Sequence, residues 1–282
     1  DETRILCQYF KISIDQLLNI DKKSVIFTPV LLDATENNFE NYLTGILQGL
    51  KHIASFEEKD VIYLAKDMVL FHNFYFKPLF AFRYFFWMKS IVQDPDFVNR
   101  KFTLDCLPPH IEKLGKEITS VYNSFHSTEI WNTVCINSSV AQIEYYREAG
   151  FFNSDKDSYL VYEALRDTIE HLRIQAEYGC KFLPGETPSY KKNNFDLYYN
   201  RLVLGDNTIF SILNQKKTLY LAYDTLNYMM TQDEDFCNSA YEKIQGLLKK
   251  ATILSNVSEK QRNIFFNILL KKIPTQEETI NA

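Results

Sequence analysis

The sequence predicts an α+β body that is predominantly helical and carries a small antiparallel sheet of three to five strands. Apolar residues recur at helical spacing through most of the long segments. Residues 195–230 differ, because β-branched and aromatic residues there stand between turn formers such as Gly205 and Asn214. The chain contains 18 Tyr and 22 Phe against 8 Gly and 8 Pro, which indicates densely packed elements with few loose connections.

Periodicity and capping signals place the predicted elements in order along the chain. Two short helices lie within 2–20, and longer helices cover residues 39–55, 77–92, 109–125, 128–149, 158–178, 234–251 and 258–272. The predicted strands are an extended segment over 60–76 and a meander of three or four strands over 195–230.

The predicted domain organisation is a short N-terminal unit over 1–20, a connector over 21–36, a body over 37–273 and a polar tail over 274–282. The body is either one domain or two lobes, a helical lobe over 37–180 and a lobe over 190–273 with the meander and two helices. The first residue is Asp1 rather than Met, so we expect the chain to be a piece of a longer protein.

Charge, cysteine usage and hydropathy argue against a nucleic-acid-binding chain, a disulfide-bonded secreted protein and a membrane protein. The formal net charge is −5 and no run of five basic residues occurs, so this chain alone is expected to bind DNA poorly. The five cysteines are odd in number and never form a Cys-x-x-Cys pair, which favours a reducing compartment, the cytoplasm. The most apolar stretch, 71–92, is broken by Lys77, Pro78 and Arg83, so no membrane partner is expected.

A capped pair of amphipathic helices stands at the beginning of the sequence. Residues 4–18 read Arg-Ile-Leu-Cys-Gln-Tyr-Phe-Lys-Ile-Ser-Ile-Asp-Gln-Leu-Leu, in which Ser13 is an N-cap and Asp15 lies in the first turn of the second helix. This segment resembles the last two helices of an Xre-type (lambda-repressor/Cro-like) helix-turn-helix domain. Residues 61–72 and 82–89 are similar to segments of helix-turn-helix regulators of the Bacteroidetes kind.

The resemblance implies a one-component transcription regulator, of which this chain is the regulatory and dimerisation domain. The recognition helix of such a family lies before the segment seen here, so no DNA-binding residue can be named in this chain. The implied partners are DNA, through the N-terminal part of the parent protein, a small-molecule or peptide effector, and a second copy in a homodimer.

Aromatic density supplies the candidates for an effector pocket. Tyr198, Tyr220 and Tyr223 fall on predicted strands, and His72 lies inside an aromatic run, so their polar tips can line a ligand pocket. The alternative is plain packing of the sheet and core, with His72 satisfied by a backbone partner.

No catalytic residue, metal ligand or cofactor is predicted. Glu163, Asp167, Glu170 and His171 share one predicted helix, but a ferritin-like site needs Glu-x-x-His on two helices. Cys135 and His126 have no orienting pattern around them that would indicate a thiol nucleophile. Two other functions stay open: a non-catalytic interaction scaffold, and an enzyme of unknown class, which would require convergent titratable groups that the sequence does not reveal.

Overall fold

The computed structural model describes residues 28–30, 36–64, 109–148, 150, 152, 155–183, 185–190, 193–200, 208–222 and 228–276. Its strands are β1 (Thr28–Val30), β2 (Lys59–Leu64), β3 (Ser127–Trp131), β4 (Phe195–Tyr199), β5 (Thr208–Leu213), β6 (Lys216–Ala222), β7 (Tyr228–Thr231) and β8 (Thr252–Ile253). Its helices are α1 (Glu36–Ser55), α2 (Pro109–Tyr122), α3 (Thr133–Glu148), α4 (Asp155–Tyr178), α5 (Glu234–Lys250) and α6 (Glu259–Leu270).

Within the described residues, all eight strands belong to one mixed sheet in the order β1-β7-β6-β5-β2-β3-β4-β8. Strands β2, β3 and β4 are parallel neighbours, with Ile62 opposite Thr128 and Thr128 opposite Asp196. Strands β5, β6 and β7 form an antiparallel meander that joins the parallel part through β5 and β2. The short strand β1 pairs with β7 at one edge, and β8 pairs with β4 at the other.

Alternation along the strands separates the core into layers on the two faces of the sheet. One face carries Tyr63, Trp131 and Phe195, which pack in one cluster with residues of α3, α4 and α6. On this same face Val61 packs with α1 and α2. The other face carries Ile62, Ile130 and other side chains that pack on α5. We name the first the five-helix face, because α1, α2, α3, α4 and α6 cover it, and the second the α5 face, because only α5 of the described helices packs on it.

The predicted fold class is wrong. The sheet is mixed and larger than the small antiparallel sheet of three to five strands that the sequence indicated. Central parallel strands are covered on both faces and lack the alternation that marks a half-exposed strand. All five residues of β3 are buried, and these residues were predicted to begin a helix over 128–149; the observed helix α3 begins at Thr133.

Several other elements were predicted correctly. The helices over 39–55, 109–125, 158–178, 234–251 and 258–272 are confirmed with shifted ends as α1, α2, α4, α5 and α6. The meander is confirmed for β5, β6 and β7, whereas β4 pairs with β3 and β8 instead of β5. One sheet thus joins strands from both of the lobes, 37–180 and 190–273, that the sequence suggested.

Local signals explain where the last two helices begin. Asp233 caps α5 by accepting a hydrogen bond from the backbone N–H of Phe236. Ser258 and Gln261 form a capping box at the start of α6. The chain after α6 is held to α4, because Arg166 donates hydrogen bonds to the carbonyl oxygens of Ile273 and Pro274 at 2.6 and 2.7 Å.

None of the described helices has the length and hydropathy that a bilayer crossing requires.

Candidate functional site

Two groups of polar side chains lie at the end of the sheet where the parallel strands β2, β3 and β4 begin. The acid–histidine cluster, on the α5 face, consists of Asp60, His126 and Asp196. The lysine–glutamate network, on the five-helix face, consists of Tyr122, Ser127, Glu129, Trp131 and Lys181. His126 and Ser127 are neighbours in sequence, so the start of β3 contributes to both groups.

The acid–histidine cluster is partly open to water. The Nε2 atom of His126 lies 3.0 Å from Oδ2 of Asp196, with 38% and 36% of the two side chains exposed. Parallel register places Asp60 beside His126, because each lies two residues before one of the opposite residues Ile62 and Thr128. On the other side of β3, Thr128 is opposite Asp196. The three groups therefore come from three adjacent strand beginnings.

Burial and neighbouring charges shift the acidity of one member of the cluster. Burial raises the pKa of Asp60, His126 opposes that shift, and the negative charge of Asp196 adds to it. The backbone N–H of Val61 also favours the ionised carboxylate. A carboxyl group that holds its proton more tightly than usual beside a His–Asp pair is an arrangement that can exchange protons with a bound molecule.

The described residues of the cluster supply groups for proton transfer and charge recognition. An aspartate that orients a histidine is also part of nucleophilic triads, but those need a hydroxyl or thiol hydrogen-bonded to the imidazole. In the part of the chain that the structure describes, the one hydrogen-bond partner of the His126 ring is Asp196. The cluster therefore does not form a nucleophilic triad from the described residues.

The lysine–glutamate network is shielded from water. Glu129 is fully buried, and its two carboxylate oxygens accept hydrogen bonds from the Tyr122 hydroxyl at 2.8 Å and from Trp131 Nε1 at 2.7 Å. Both partners donate, which is the arrangement that an ionised carboxylate needs when it is out of contact with water.

Lys181 lies in the same interior, with 1% of its surface exposed. Its Nζ atom donates to the Tyr122 carbonyl oxygen at 2.6 Å and to Ser127 Oγ at 3.1 Å. Nζ also stands 4.0 Å from the centre of the Tyr122 ring and 4.8 Å from that of Phe125. Burial lowers the pKa of Lys181 to about 7, although the nearby Glu129 charge favours the protonated form.

Asn194 links the Lys181 backbone to the residue that follows α2. Its Oδ1 accepts from the Lys181 backbone N–H at 2.7 Å, and its Nδ2 donates to the Asn123 carbonyl at 2.6 Å. The chain leaves α4 through Gly179, whose φ of +59° is the left-handed conformation that favours glycine after a helix. The turn at Gly179 and the two hydrogen bonds of the Asn194 side chain thus position Lys181 against the end of α2.

Two of the four pocket candidates of the sequence, Tyr198 and Tyr220, lie among the described residues, and they lie on opposite faces of the sheet. Tyr198 lies on β4 and packs toward the α5 face, whereas Tyr220 pairs with Ile209 of the five-helix face. Burial raises the pKa of both hydroxyl groups, and the charge of Asp196 contributes at Tyr198. The sheet separates these two tyrosines; His72 and Tyr223 lie outside the described residues.

The acidic helix residues that the sequence raised as metal ligands have other partners. Glu163 accepts from the Tyr159 hydroxyl at 2.8 Å, Glu170 pairs with Arg173 at 2.7 Å, and His171 contacts the Phe182 carbonyl at 2.9 Å. Within the described ranges, no three His, Cys, Asp or Glu side chains are grouped so that they could hold a metal ion.

The sequence analysis missed Asp60, Glu129, Lys181 and Asp196. Glu129, Lys181 and Asp196 are each a single charged residue in or beside a short apolar run, such as Lys181 in Cys-Lys-Phe and Glu129 in Thr-Glu-Ile-Trp, whereas Asp60 ends the charged run 57–60. A charged residue inside a five-residue buried strand is a usable signal, but only once that strand has been recognised.

Comparisons with protein-family models, with curated proteins and with solved structures find no match for this chain.

Proposed function

We propose that this chain is the regulatory and dimerisation domain of a cytoplasmic one-component transcription regulator. The proposal rests on residues 4–18, whose Ser13-capped pair of amphipathic helices is similar to the end of an Xre-type DNA-binding domain. The recognition helix and the DNA contacts belong to the part of the parent protein before this segment.

The attachment of the connector supports this role. Strand β1 lies within 21–36, the segment that follows the Xre-like helices, and it pairs with β7 from Thr28 opposite Met230 to Val30 opposite Tyr228. The connector is therefore hydrogen-bonded to the edge of the sheet. A change in the position of that edge would move the chain that leads to the DNA-binding helices, which is the coupling that a sensor domain needs.

The regulator works as a homodimer whose two DNA-binding units are placed by the bodies. A small-molecule or peptide effector acts by binding the two arrangements of the dimer unequally, since a ligand with equal affinity for both shifts nothing. The operator then has two half-sites about 34 Å apart, or a multiple of that distance.

The test is a footprinting experiment on the regulatory region of the gene itself at low salt. The parent protein is expected to protect two half-sites, and the 1–282 chain, with its net charge of −5, is the matched control that should protect none. Failure of the parent protein to protect any promoter DNA would overturn the proposal.

A second function is favoured by one observation, the acid–histidine cluster. Convergence of Asp60, His126 and Asp196 at one edge of the sheet supplies titratable groups of the kind that an enzyme for proton transfer uses. Native mass spectrometry tests whether the acid–histidine cluster holds a small molecule, which a non-catalytic interaction scaffold would not require. A co-purified small molecule that is lost in His126→Ala favours a site at this cluster, and the absence of any bound molecule favours the interaction scaffold.

A further inference from the structure

We draw no further inference here: the strongest candidate, the exposed apolar surface of helix α6 formed by Ile264 and Ile268, carries none because nothing in the described part of the chain shows what covers it.

Discussion

The acid–histidine cluster and the lysine–glutamate network meet at the start of β3, on opposite faces of the sheet, and differ in their access to water. His126 and Asp196 are each more than one third exposed, whereas Glu129 and Lys181 are buried on the opposite face. In the open cluster, water solvates the charges whether or not they pair, so the pair adds little stability. In the buried network, hydrogen bonds replace water, and each lost partner leaves a charge without solvation.

Adjacent residues at the start of one strand can therefore have opposite roles. His126 and Ser127 stand next to each other at the start of β3, and alternation directs them to the two faces. The α5 face keeps groups that can meet a bound molecule, and the five-helix face keeps groups that hold the fold together. Function at this end of the sheet is therefore expected on the α5 face and stability on the five-helix face.

The largest expected effect comes from removing the buried carboxylate. Glu129→Ala removes the carboxylate that accepts from the Tyr122 hydroxyl and from Trp131 Nε1, and it removes the negative charge that favours the protonated form of Lys181. The free energy of unfolding should fall by about 2–6 kcal/mol, measured by urea titration, because each of the two buried donors loses a hydrogen bond at a cost of about 1–3 kcal/mol. Glu112→Ala, at an exposed carboxylate paired with Lys116, is the control and should change it by under about 1 kcal/mol. Equal losses in the two variants would contradict the comparison.

The next largest loss of stability is expected from replacing Asn194, whose side-chain amide holds the Lys181 backbone. Asn194→Ala removes an acceptor for the Lys181 N–H and a donor to the Asn123 carbonyl, both in the interior. The expected loss of stability is about 1–3 kcal/mol by thermal or urea unfolding, because buried backbone groups lose their partners. Asn137→Ala, at an exposed asparagine that contacts Lys272, serves as the control with a loss near zero. A loss of that size at both positions would contradict the prediction.

In the acid–histidine cluster, replacing Asp60 is expected to raise the free energy of unfolding slightly rather than lower it. The pKa of Asp60 is raised in the folded chain, so the folded state holds a proton that the unfolded state releases, and stability falls as the pH rises from 3.8 through the folded pKa. Asp60→Asn removes this loss. The variant should be at least as stable as the unmodified chain at pH 7, and the difference should shrink toward pH 3 in urea titrations at each pH. A variant less stable at neutral pH would show that the ionised carboxylate is stabilising.

The smallest effect is expected for the exposed pair itself. His126→Ala and Asp196→Asn should each change the free energy of unfolding by less than about 1 kcal/mol, and the change should diminish in 1 M salt. The same two variants are the ones expected to abolish binding of any small molecule held at the cluster. A loss of several kcal/mol in either would show that the cluster is structural rather than functional.

Helix positions could be predicted because their signals are local. The apolar spacing within 39–55 and the caps Asp233 and Ser258 give α1, α5 and α6 without knowledge of the rest of the chain. The antiparallel meander was also accessible, since the turn at Asn214 and Gln215, both with positive φ, lies between two runs of β-branched and apolar residues.

The parallel strands and the candidate site could not be predicted in this way. Strand β3 is short, buried on both faces and contains Ser127 and Glu129, so its sequence alternates neither as a strand nor as a helix. Its polar residues are tolerated because Tyr122, Trp131 and Lys181 satisfy them, and two of these lie on other elements. The pairing of His126 with Asp196 spans 70 positions and depends on the register of β3 with β4. Such contacts follow from topology, which a single sequence does not specify.

The most direct test of the proposed function is to read the codons that precede Asp1 in the native gene. The proposed function predicts an open reading frame that encodes three further capped helices with a basic surface. These would complete the helix-turn-helix domain whose last two helices residues 2–20 resemble. A start codon immediately before Asp1, or a secretory signal peptide, would contradict it.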